Sequence, residues 1–130
     1  MRAKAAFSLI ETAVATALLA VIVVTVLSGF SATTLAATRH QQEVTLDRLT
    51  RSDAEYIKSQ IYNAAANGPA GYANLAVSGY TFAYQILHYN QNSNPNFAAG
   101  NTDTGLQEIQ LTVNGPNGIR ETLYFLKELP

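Results

Sequence analysis

Between Thr12 and Thr38 this chain carries no charged side chain and no proline. Few folds tolerate so long an uncharged run. A hydrocarbon core of ~30 Å is crossed by about 20 apolar residues in a helix, and the stretch from Phe7 to Ala37 exceeds that. Arg2 and Lys4 lie on its short N-terminal side, so the excess of positive charge places Met1 in the cytoplasm and the bulk of the chain outside. A cleaved secretory signal is the rival reading, and "TLAAT" at 34–38 offers small residues for a start near Ala37 or Thr38. Such a signal has an apolar region of only about 7–15 residues, and the run here is too long for it.

Past Thr38 the helical pattern continues without a break, since no proline occurs until Pro69. Leu46, Leu49, Ile57, Ile61 and Ala65 share one helical face with Tyr56 beside them, while Arg48, Arg51, Glu55 and Lys58 take other faces. Asp47–Arg51 and Arg51–Glu55 are spaced for ion pairs along the polar side. Gly68 and Pro69 supply the stop, so one helix is expected from Phe7 to about Asn67, apolar all round in its first half and amphipathic in its second.

The remainder reads as strands. Over 80–89, Phe82, Tyr84, Ile86 and His88 alternate with Ala83, Gln85, Leu87 and Tyr89. Ile109, Leu111 and Val113 alternate with polar residues over 106–113, and "NGPNG" at 114–118 turns the chain into a last strand over 119–129. The two final strands are expected to form an antiparallel hairpin whose apolar face covers the helix stripe. The expected class is α+β: a long N-terminal helix on a small antiparallel sheet. Residues 90–105 form a polar loop of unusual length, either a binding surface or disordered.

Glu11 stands at the mouth of the apolar run, where a carboxylate costs about 2.5–3.5 kcal/mol at a bilayer centre and less at an interface. The stretch "AFSLIE", residues 6–11, followed by a charge-free helix, resembles the N-terminal signature of type IV prepilins and pseudopilins. That resemblance implies a basic leader, residues 1–6, cut between Ala6 and Phe7 by prepilin peptidase, with N-methylation of Phe7. Ala6 stands where the family usually has Gly. It implies that residues 7–37 are the transmembrane and filament-core half of the helix, and that 38–130 hold the amphipathic half and a small β head. It implies that Glu11 neutralises the new N-terminal amine of a neighbouring subunit, two charges that are each costly in low dielectric becoming tolerable as a pair.

The partners so implied are other pilin or pseudopilin subunits, the peptidase, an inner-membrane assembly platform and the membrane itself. The expected location is the inner membrane as a single-pass protein, then an extracytoplasmic pilus or pseudopilus. Ser28 and Gly29 lie where major pilins often have Pro, there is no cysteine to close a C-terminal loop, and residues 46–62 resemble minor subunits, so a minor role is the expectation. The alternative is a membrane-anchored extracytoplasmic binding module that does not polymerise.

Other chemistry finds little footing. A formal net charge of −1 gives no basic surface for nucleic acid. Without cysteine there is no thiol nucleophile or zinc cluster. His40 and His88 have no neighbours at metal-ligand spacing, and "NTDTG" at 101–105 offers Asp103 alone where a calcium loop needs several oxygens. No nucleophile–base grouping or paired carboxylate can be assembled, so neither enzyme, metal site nor cofactor is expected.

Overall fold

The computed structural model describes residues 8–64 and 71–130. The chain divides into two compact units, one ending at His40 and the other running from Gln41 to Pro130. Helix α1 (Leu9–Ser59) is followed by strands β1 (Thr81–Tyr89), β2 (Phe97–Ala98), β3 (Leu106–Asn114) and β4 (Arg120–Glu128). The sheet is antiparallel throughout, in the order β2-β1-β3-β4. The expected α+β arrangement is therefore the observed one.

In the first unit every described side chain from Ser8 to His40 is exposed. A helix in a water-soluble fold hides at least one stripe, and this segment hides none within its own chain. Its most apolar 18-residue stretch has a mean hydropathy of 2.5, so α1 is long and apolar enough to anchor the chain in a membrane.

In the second unit α1 buries Leu46, Thr50, Asp53, Ala54 and Ile57, the spacing of one helical face. Leu46, Ala54 and Ile57 meet Ile86, Ile109, Leu111, Val113 and Phe125 from the sheet, with Tyr72 closing the cluster. β3 alternates strictly, with Gln107, Ile109, Leu111 and Val113 buried and the residues between them half-buried. Each fully buried aliphatic side chain contributes about 1.5–3 kcal/mol, so this one face supplies most of what holds the head together.

The helix stops at Ser59, earlier than the sequence pattern suggests, and the expected Gly68–Pro69 stop and Ala65 lie outside the described residues. The cause comes from across the chain. The Lys127 ammonium donates to the carbonyls of Ile57, Lys58 and Gln60 at 3.0, 2.8 and 2.6 Å. The Ile57 carbonyl also accepts the Gln60 N–H at 3.2 Å. The last carbonyls of a helix have no full set of internal partners, and a cation there also suits the helix dipole. The Gln60 carboxamide then locks the departing chain, donating to the Ala73 carbonyl and accepting from the Ala73 N–H. Ile61, expected on the buried face, is consequently 91% exposed. Of the two expected ion pairs, the Arg51 guanidinium is engaged with Asp47, at 3.0 Å.

The β3–β4 turn has Asn117 and Gly118 at φ of 59° and 74°, left-handed conformations that Asn and Gly adopt at least cost. Gly115 is required for a different reason: a Cβ there would lie 2.9 Å from the Ile119 side chain and 3.0 Å from the Tyr80 ring. The 90–105 loop is folded. The Asn101 carboxamide reaches the His88 and Asn96 carbonyls and the Ser93 hydroxyl, and Phe97–Ala98 adds a short strand to the end of β1.

Candidate functional site

The N-terminal turn of α1 is built as a cap. The Ser8 hydroxyl accepts the Glu11 N–H at 3.2 Å, and the Ser8 carbonyl accepts the N–H groups of Glu11 and Thr12. Ser8 and Glu11 have the Ser-x-x-Glu spacing of a capping box. Glu11 therefore sits in the first turn, at the positive end of the helix dipole, and is exposed. The helix is committed from its first residues, which fixes where that carboxylate stands relative to the apolar surface after it. Ala6 and Phe7, the expected cleavage and methylation residues, lie outside the described residues.

The uncharged segment deals with its own polar atoms. Thr12, Thr16, Thr25, Ser28, Ser31, Thr33, Thr34 and Thr38 each donate a side-chain hydrogen bond to a carbonyl one turn earlier, at 2.8–3.3 Å. An unmade hydrogen bond costs several kcal/mol in hydrocarbon, and these hydroxyls present none. One side of the helix is also low in relief, with Thr12, Ala13, Thr16, Ala17 and Ala20 beside Leu9. Small residues at four-residue intervals let a second helix approach closely where no hydrophobic force drives association.

The head holds a polar cluster that the sequence pattern does not reveal. The Tyr62 hydroxyl donates to Asp103 Oδ1, which also accepts the Gly105 N–H at 3.0 Å. His88 Nδ1 lies 3.6 Å from the same oxygen. Beside them, Tyr72 donates to Gln107, and Gln107 donates to the Asn63 carbonyl. Asp103 is thus turned inward to tie the loop to the segment after α1. Among the described residues no group of three His, Cys, Asp or Glu side chains could hold a metal ion. His40 is exposed on α1.

Two carboxylates in the head respond oppositely to their surroundings. Burial of Asp53 raises its pKa and outweighs the Leu75 N–H that it accepts, and its Oδ2 has no hydrogen-bond partner among the described residues. Burial also pushes Asp103 upward, but the Tyr62 hydroxyl, the Gly105 N–H and His88 together hold it below the ordinary value. The folded state therefore favours neutral Asp53, whose contribution is lost as pH rises through its raised pKa. It favours charged Asp103, whose contribution is lost as pH falls through its lowered pKa. At pH 7 we expect Asp53→Asn to raise stability and Asp103→Asn to lower it, each by about 1 kcal/mol. Denaturant unfolding of the whole chain in detergent at pH 7 and pH 3 checks this, and both differences shrink at the lower pH. Shifts of the same sign at pH 7 would contradict it.

No family model, no curated protein and no solved structure matches this chain.

Proposed function

We propose that this protein is a structural subunit, of the minor kind, of a type IV pilus or type II secretion pseudopilus. In this reading prepilin peptidase cuts between Ala6 and Phe7, Phe7 is methylated, and the chain polymerises through α1 from the inner membrane into an extracytoplasmic filament. The observation that carries the proposal is the combination at the start of α1: one capped, exposed carboxylate, Glu11, directly ahead of a charge-free helix. Exposure all round the first unit supports it, because a segment with no cover of its own suits either lipid or neighbouring helices. The amine released on Phe7 would belong to the residue four before Glu11 in the sequence. That spacing lets the carboxylate of one subunit meet the ammonium of the next, and the pairing sets axial register.

Mass spectrometry of the N-terminus of protein purified from its own membrane tests the proposal. Methylated Phe7 is the expected result. A chain that still begins at Met1 favours the alternative, a membrane-anchored extracytoplasmic module that does not polymerise. A start near Ala37 or Thr38 means release by ordinary signal peptidase.

A further inference from the structure

Two buried side-chain oxygens in the head accept no hydrogen bond from any described residue: Asp53 Oδ2 on α1, and Asn74 Oδ1 on the segment before β1. Folded proteins seldom leave a buried acceptor unmet. These two belong to one contact, because Asn74 directly precedes Leu75, whose N–H goes to the other oxygen of the same Asp53 carboxyl at 2.6 Å. Turning the Asn74 carboxamide over is no remedy while its Nδ2 donates to the Phe82 carbonyl of β1 at 3.4 Å. A flip would aim Oδ1 at that carbonyl, acceptor against acceptor. An ionised Asp53 does not help either, since a carboxylate only accepts. One hydrogen on Oδ2 supplies what both atoms lack.

We propose that the head is built around the protonated form of Asp53, whose carboxyl donates to Asn74 Oδ1, so that one proton ties α1 to residues 71–79 and, through Asn74 Nδ2, to β1. When the proton leaves for solvent, the carboxylate repels Asn74 Oδ1 and attracts Nδ2. The carboxamide then turns over, and the Phe82 carbonyl loses its donor. The tie to β1 is made on the acid side of the Asp53 titration and released on the alkaline side. Burial raises the Asp53 pKa, which favours the same form. This inference concerns the head alone and does not depend on filament assembly.

The other titratable groups leave that switch readable. On the segment before β1 and on β1 itself, Tyr72, Tyr80 and Tyr84 carry phenols, a group that ordinarily ionises near pH 10. His88, at the far end of β1, faces Asp103. The inward residues of β3 are Gln107, Ile109, Leu111 and Val113, none of them titratable. On β4, Glu121 lies beside Asp47 and Thr50, and the Lys127 ammonium is held by the carbonyls of Ile57, Lys58 and Gln60. On α1, Arg51 pairs with Asp47. Residues 65–70 contain no titratable side chain.

NMR of the full chain in detergent, isotope-labelled at aspartate and asparagine and titrated between about pH 3 and pH 8, provides the test. The Asn74 carboxamide signals are expected to move with the same midpoint as the Asp53 carboxyl carbon. Asn74→Ala removes the acceptor of the acid form, so Asp53 is expected to hold its proton about tenfold less tightly. Asp53→Asn places a permanent donor at the same point, and the Asn74 signals are then expected to stay at their acid-limit positions throughout. Glu121→Gln is expected to leave the Asp53 midpoint where it was. Asn74 signals that stay still while Asp53 titrates overturn the proposal. So does an Asn74→Ala chain whose Asp53 holds its proton as tightly or more so, which would place a water molecule between the two oxygens.

Discussion

In the proposed filament, replacing Glu11 by alanine is expected to leave the chain in the membrane while cutting its incorporation by at least ~100-fold. The size follows from what the substitution strands. If the Phe7 ammonium is buried against Glu11 of a neighbour, removing the carboxylate leaves an unpaired charge in an apolar core, a penalty of about 3–5 kcal/mol. Glu11 has a second role that must be separated from this one, since it occupies the third helical position after the Ser8 cap. Loss of a carboxylate from a helix start costs only about 0.3–1 kcal/mol, too little for a hundredfold effect. Glu11→Gln distinguishes the two, because glutamine also serves in a capping box but carries no charge. Pelleting of sheared filaments measures the incorporated fraction, and carbonate extraction reports membrane residence. Normal assembly of Glu11→Gln would show that the charge is not what matters there.

Lys127→Met is the second large effect, expected to destabilise the head by about 3 kcal/mol, or roughly 15 °C in melting temperature for a domain of this size. The Lys58 and Gln60 carbonyls lose the ammonium donor, and the Ile57 carbonyl is left with the Gln60 N–H at 3.2 Å. Hydrogen bonds to a charged group contribute about 1.5–3 kcal/mol each, and part of that is offset because a dehydrated ammonium disappears too. Burial already pulls the Lys127 pKa down, which is the sign of that dehydration. Methionine keeps the unbranched stem and omits the ammonium, so the loss reports mainly the cap. Thermal melts of the full chain, followed by tyrosine fluorescence, check it. A melt indistinguishable from that of the parent would mean that water caps the helix equally well.

The same lysine shows where reading the sequence stops. Strand alternation placed β1, β3 and β4 within about a residue of where they are found. It also grouped Phe82, Tyr84, Ile86 and His88 on one face of β1, and this is the face on which Ile86 and His88 are buried. Period-two patterns survive because each strand has one covered face. The helix end did not follow from local signals, because its cap arrives from a residue near the other end of the chain. Thr50, Asp53 and Gln107 were equally hidden: they are polar by composition yet fully buried. Asp53 is held inside by the Leu75 N–H, and Gln107 by Tyr72 and the Asn63 carbonyl. No periodicity carries such long-range pairings. β2 escaped notice because two residues among asparagines make no pattern. For the candidate site, Glu11 is exposed in the first turn of α1, while Ala6 and Phe7 lie outside the described residues.

The hydroxyls of the uncharged segment have one more consequence. Each has already spent its proton on the helix's own backbone, so it asks nothing of whatever lies beyond the surface. Acyl chains and a protein neighbour are then close to interchangeable as surroundings, and exchanging one for the other leaves no donor stranded. Such a helix is suited to leaving a bilayer as well as to residing in one.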